Sequence, residues 1–210
     1  SGDYDFSELL NKNRCDEKGC AAGMFNMYAD IVGWDAVRNS GMVGNAWQIK
    51  KSMQDSGANI KYNIYANKSK PDYENLHSFT TSAIKDNPLD YSILQEGDVV
   101  GIYSPTSGYN RRALNEGNGT YNSHIGMISG YDTDGMPIVT HNLNGWVEHD
   151  RADKVQGLTS AHPMTIAWVA DPIGGEGFKY DSVVEGKSGW NDYSNENESY
   201  INFLEAKFFD

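Results

Sequence analysis

The chain has 210 residues, 39% of them hydrophobic and 12% aromatic, and a net charge of −12, enough apolar material for one domain in the usual range of about 100–200 residues. That charge excludes a nucleic-acid backbone as partner, because such affinity comes from Lys and Arg neutralising phosphates and releasing counterions. No stretch approaches the roughly 18 uninterrupted apolar residues that cross a bilayer, and Ser1-Gly2-Asp3-Tyr4-Asp5 carries neither the basic nor the apolar region of a signal peptide, so the reading is a soluble domain with no membrane partner.

In chain order, Phe6, Leu9 and Leu10 form a short apolar face that suits a short helix, and the polar stretch 11–18 reads as a loop leading to Cys20. Met24, Met27, Tyr28 and Ile31 then fall at i+4, i+7, i+8 and i+11 from Cys20, a helical stripe with Gly33 as its stop. Residues 35–55 read as further helix interrupted near Gly41 and Gly44, with Ala46, Ile49 and Met53 on one face. Ile60, Tyr62 and Ile64 alternate as in a strand, but the polar run containing Pro71 ends pairing, and 60–93 is read as an insertion. Gly97-Asp98-Val99-Val100-Gly101-Ile102-Tyr103 reads as a buried strand entered by a turn, and the Gly-, Asn- and Ser-rich stretch 104–122 as a mobile loop.

Residues 123–144 read as a hairpin turning at Asp132-Thr133-Asp134-Gly135, with further strands around Val147 and over 165–169. Short sequential strands with little helix between them imply an antiparallel sheet and an α+β fold. The Gly-, Ser-, Asn- and Glu-rich segment 173–210, ending in an amphipathic stretch from Tyr200 to Phe209, is read as a C-terminal extension to a domain spanning 1–172.

The chemistry concentrates on Cys20. A cysteine at a helix start with histidines on later strands, His124 and His141, suggests a thiol hydrolase, because thiolate attacks carbonyls and a helix N-terminus with a nearby imidazolium lowers a thiol pKa. A Cys15–Cys20 bridge would silence the nucleophile, so both thiols are expected reduced, with Cys15 as a small buried apolar residue. Side chains alternate along a strand, so His141 and Asn142 point to opposite faces and only one of them can meet His124.

These residues resemble the NlpC/P60 and CHAP group of papain-like cysteine peptidases and amidases. The resemblance lies in Gly19-Cys20-Ala21-Ala22-Gly23, Gly97-Asp98-Val99-Val100, Ser123-His124-Ile125-Gly126 and Ile138-Val139-Thr140-His141, with Gly44-Asn45-Ala46-Trp47 similar to a CHAP Gly-Asn-Ala segment. It implies a papain-like fold, no cofactor, and a nucleophile on a helix packed against an antiparallel sheet. Cys20 would attack an amide carbonyl, His124 would shuttle the proton, and His141, or Asn142 in its place, would orient His124. The implied substrate is a peptidoglycan peptide, cut by an endopeptidase or an N-acetylmuramoyl-L-alanine amidase that is secreted, periplasmic or virion-associated. A phage lysin, a wall-remodelling enzyme and an antibacterial effector all fit, the last with an immunity protein over the cleft. The Cys20 N–H would be one oxyanion donor; Tyr4, Asn13 and Arg14 are candidates for the second.

Other readings are weaker. The five histidines and Cys20 show no metal-motif spacing, and in Trp146-Val147-Glu148-His149-Asp150 strand alternation splays acid and imidazole apart. The Asp132-x-Asp134-Gly135 start of a calcium loop lacks its twelfth-position glutamate, since Leu143 stands there. Thirteen tyrosines and five tryptophans also suit a non-catalytic carbohydrate-binding or virion structural protein, which would have no use for a thiol at a helix start.

Overall fold

The computed structural model describes residues 4–158 and 164–172. A six-stranded antiparallel sheet runs in the order β1-β6-β2-β3-β4-β5, from β1 (Asn59–Asn63), β2 (Val99–Tyr103), β3 (His124–Tyr131), β4 (Pro137–Leu143), β5 (Trp146–Arg151) and β6 (Thr165–Asp171). Five helices accompany it, α1 (Cys20–Val32), α2 (Trp34–Asn39), α3 (Ile49–Asp55), α4 (Leu76–Asp86) and α5 (Asn110–Glu116), preceded by a 3₁₀ helix over Phe6–Asn11. The fold is mixed α+β, as expected.

Helix α1 begins at Cys20 because Gly19 is still extended (φ −67°, ψ 141°), and it ends where Gly33 takes φ 86°. Met24, Phe25, Met27 and Tyr28 have no exposed surface, each contributing about 1.5–3 kcal/mol by leaving water. Burial extends around the helix rather than along one stripe, as it does for a helix enclosed by the fold. The Tyr28 hydroxyl donates to the Gly97 carbonyl at 2.6 Å, tying α1 to the turn that enters β2. Helix α1 packs on β3 and β4, and at Gly23 an added Cβ would lie 2.3 Å from Asn142 Nδ2.

The hairpin of β3 and β4 turns where expected, with Asp132 N–H donating to Met136 O at 2.8 Å and Gly135 at φ 87°. The acidic groups of that turn are held by a guanidinium: Arg151 pairs with Asp132 and Asp134 at 2.8 Å and with Asp153 at 3.1 Å. A second hairpin was not expected. Asn144 and Gly145, at φ 55° and 92°, form the two-residue loop between β4 and β5, with Leu143 opposite Trp146.

One reading needs correction. The stretch 104–122 contains α5 and is not simply a loop: Ala113 and Leu114 are buried, Asn110 Nδ2 donates to Ser104 O at 2.8 Å, and Arg112 pairs with Glu116 one turn on. Tertiary burial outweighs a composition that favours coil. The strand expected around Ile60 and Tyr62 is β1, which pairs with β6, and the segment that follows it supplies α4. The proposed extension 173–210, including the stretch from Tyr200 to Phe209, lies outside the described residues, as does His162.

Candidate active site

Cys20, His124 and Asn142 line one cavity of about 790 Å³, whose walls also include Lys18, Asn45, Trp47, Tyr109, Ser123 and Asn144. Cys20 is half-buried, and its thiol donates to the Ser123 carbonyl across 3.9 Å. The N–H groups of Ala21, Ile125 and Cys20 itself also reach the sulfur. The first intrahelical bond of α1 runs from Gly23 N–H to Gly19 O at 2.9 Å, so the N–H groups at the helix start are left for this role.

His124 opens β3 and meets His141 of β4, with Nε2 2.8 Å from His141 Nδ1. The far nitrogen of His141 lies 2.7 Å from Asp150 Oδ2 on β5. An ionised carboxylate only accepts, so His141 Nε2 carries a proton; a neutral His141 then accepts at Nδ1, His124 donates from Nε2, and His124 Nδ1 keeps a lone pair. The chain Asp150–His141–His124 therefore fixes both tautomers and leaves one unprotonated nitrogen, His124 Nδ1, at its end. Gly126 lies two residues after His124 on β3, and a Cβ there would come 3.2 Å from that of His141.

Asn142 does not meet His124. Buried on the other face of β4, it donates from Nδ2 to the carbonyls of Glu17 at 2.7 Å and Gly19 at 3.0 Å, and accepts from Gly145 N–H at 3.1 Å. It thus holds the loop that delivers Cys20. Asn122 does the same for His124: its side chain donates to Ala46 O at 2.9 Å and His124 O at 3.0 Å, and accepts from Trp168 Nε1 at 2.8 Å.

The electrostatics differ from the expectation of a lowered thiol pKa. Burial pushes the Cys20 thiol up to about 11, against the opposing pull of the three N–H groups. Burial, with His141 adjacent, pushes His124 down to about 3. The resting pair is therefore neutral at pH 7, a thiol and an imidazole, and not a preformed ion pair.

The remaining candidates lie elsewhere. Arg14 stacks on Trp146 at 3.9 Å, the Asn13 carbonyl accepts from Val147 N–H at 3.0 Å, and Tyr4 packs against Phe6. None of these three lines the cavity, so none is placed as an oxyanion donor. His149 donates to the Lys12 carbonyl at 2.6 Å and accepts from Thr140 Oγ1 at 2.8 Å, which pins the N-terminal segment to the sheet. Cys15 and Cys20 are both free thiols. Among the described residues no group of three or more His, Cys, Asp or Glu could hold a metal ion, and no helix is long and apolar enough to cross a membrane.

Sequence reasoning missed Asp150 as the end of the histidine chain and Asn142 as the brace of the Cys20 loop. The signal for Asp150 was Asn144-Gly145. A two-residue turn there sets His141 opposite Glu148, leaving Asp150 as its diagonal neighbour on the same face.

Comparison with protein-family models, with curated proteins and with solved structures returns no match.

Proposed function

We propose that the protein is a thiol hydrolase of papain-like type that cleaves an amide bond in peptidoglycan. The observation that carries the chemistry is a thiol at the first residue of a buried helix, in one cavity with a histidine whose tautomer is set by the Asp150–His141 chain. The substrate class rests on the resemblance of the Cys20, Gly97 and His124 segments to NlpC/P60 and CHAP motifs.

In this reading a scissile amide enters the cavity, the Cys20 side chain rotates off the Ser123 carbonyl, and His124 Nδ1 takes its proton as sulfur bonds to the carbonyl carbon. The oxyanion gathers at the N–H groups of the α1 start. Collapse breaks the C–N bond, with the proton on His124 passing to the leaving amine, and a thioester remains. Water, deprotonated by the same nitrogen, attacks the thioester, releases the carboxylic acid and returns the thiol. Asp150 and His141 stabilise the transient imidazolium without taking its proton.

The test is digestion of purified peptidoglycan by wild type and by Cys20→Ala, with the fragments read by liquid chromatography and mass spectrometry. Wild type should release fragments whose masses name the bond, and Cys20→Ala should release none while keeping its fold. Release by both proteins, or by neither on several wall types under reducing conditions, overturns the proposal and favours a binding role.

A further inference from the structure

Four tyrosine and tryptophan side chains are exposed among the described residues, and three of them are engaged by other groups of the protein. Tyr73 lies against the Arg111 guanidinium and Trp146 against that of Arg14, each at 3.9 Å, and the Tyr131 hydroxyl donates to the Leu94 carbonyl at 3.3 Å. Tyr109 differs. It is the most exposed of the four, at 57%, and it lines the cavity that holds Cys20. Its ring stacks on that of Trp47, another residue of the cavity wall, with centroids 6.1 Å apart and planes inclined by 29°.

The ring behind Tyr109 is fixed. Trp47 is buried, its Nε1 donates to Glu116 Oε2 at 3.1 Å, and Arg112, paired with the same carboxylate, lies 5.2 Å from the indole. The Tyr109 backbone is held as well: its N–H donates to Ser107 Oγ at 3.2 Å, and its carbonyl accepts from Ala113 N–H of α5 at 2.9 Å. An aromatic ring anchored on its inner side and wet on its outer side is preorganised, so little freedom is lost when an apolar face is laid on it. Asn45 and Asn144 line the same cavity, whose volume of about 790 Å³ leaves room for more than the reacting amide. An exposed aromatic face with amide side chains nearby suits a sugar, since the ring meets the C–H face of a pyranose and amides bond its hydroxyl and acetamido groups.

We infer that the Tyr109 wall of the cleft is a subsite for an N-acetylhexosamine ring. Resting on the hydrolase reading, the inference narrows the substrate to wall peptide still joined to its glycan, with a sugar stacked on Tyr109 while the peptide crosses Cys20. A free stem peptide leaves Tyr109 uncovered and binds more weakly. Stacking on a neutral ring draws on no charge, so the net charge of −12 does not oppose it.

The probes are a disaccharide tetrapeptide and the same tetrapeptide with its amine acetylated, so that the two differ in the glycan and not in charge. Binding to full-length Cys20→Ala is measured by calorimetry at low and at high salt, and cleavage is measured with wild type. The glycan-linked probe should bind about tenfold tighter than the free peptide, the scale of one stacked ring with its hydrogen bonds. That ratio should persist in high salt, which screens charge pairs and not stacking. In the Cys20→Ala background it should be kept by Tyr109→Phe, which retains the ring, and fall to within about twofold in Tyr109→Leu, which retains apolar surface without the flat face. Equal binding of the two probes, binding of neither up to millimolar concentration, or a ratio unchanged in Tyr109→Leu overturns the inference. Glycan-dependent binding without cleavage by wild type would leave this inference standing and remove the hydrolase reading. Equal cleavage of both probes would do the reverse.

Discussion

The pH dependence of Cys20 alkylation separates two ways of making a nucleophile. A thiol at a helix start is expected to be acidic, but here burial outweighs the helix N–H groups and the thiol is pushed up to about 11 from 9.0. The difference is worth about 2.7 kcal/mol against the thiolate, or roughly 100-fold less of it at pH 7 than an ordinary cysteine holds. His124, pushed down to about 3, supplies no cation in the resting state. Iodoacetamide reacts with thiolate, so in a Cys15→Ser background the alkylation rate of Cys20 should climb about tenfold per pH unit from 6 to 10 without a plateau. Labelling is quantified by mass spectrometry, with His124→Gln as control, which should leave the slope unchanged. A pH-independent rate across pH 4–8 that is lost in His124→Gln would reveal a preformed thiolate–imidazolium pair and refute the argument that burial dominates.

Replacing Asp150 by Asn lets the amide donate to His141, which inverts both tautomers and protonates the nitrogen that the proposed mechanism uses as base. The lost carboxylate, two hydrogen bonds and an imidazole ring away from His124 and a third exposed, accounts for only about 1–2 kcal/mol at an effective dielectric of 20–40. With the tautomer error, kcat should fall about 10²–10⁴-fold in fragment-release kinetics while KM changes little; an unchanged kcat contradicts the proton chain. The depressed His124 group contributes stability that is complete above pH 6.5 and is lost as pH falls toward about 3. In urea melts the stability of wild type relative to His124→Gln should therefore drop by about 2 kcal/mol between pH 7 and pH 5, and a gap constant with pH contradicts it. Asn142→Asp sets a carboxylate against the carbonyls of Glu17 and Gly19. It should cost about 2–3 kcal/mol in urea melts and slow fragment release, while the nitrogen shifts of His124 and His141 stay as in wild type.

Much of the sheet was readable because strand alternation and the Asp-Gly turn are local signals, and the first helix because its apolar spacing and glycine stop agree. Helix α5 was not readable, since what holds it is the burial of Ala113 and Leu114 and the Asn110 contact to Ser104, none of which a window of sequence reports. For the site, Cys20, His124 and His141 could be named from residue type and spacing. Asp150 was within reach once Asn144-Gly145 was taken as a hairpin turn. The direction of the thiol shift was not, because it is set by atoms that the fold places around sulfur rather than by the neighbours of Cys20 in sequence.

The two halves of the site are joined at the end of β4. His141 and Asn142 are adjacent in sequence and point to opposite faces: one continues the proton chain from Asp150 to His124, and the other grips the carbonyls just before Cys20. A register slip of one residue would send each to the other's task, where neither side chain has the right donors and acceptors. The register is set by the Asn144-Gly145 turn on one side and by the β3 pairing of Met127 with Thr140 on the other. The relative position of thiol and base therefore depends on backbone features that carry no chemistry of their own. Lengthening the β4–β5 turn should disturb the histidine chain while leaving the hydrophobic packing of α1 in place.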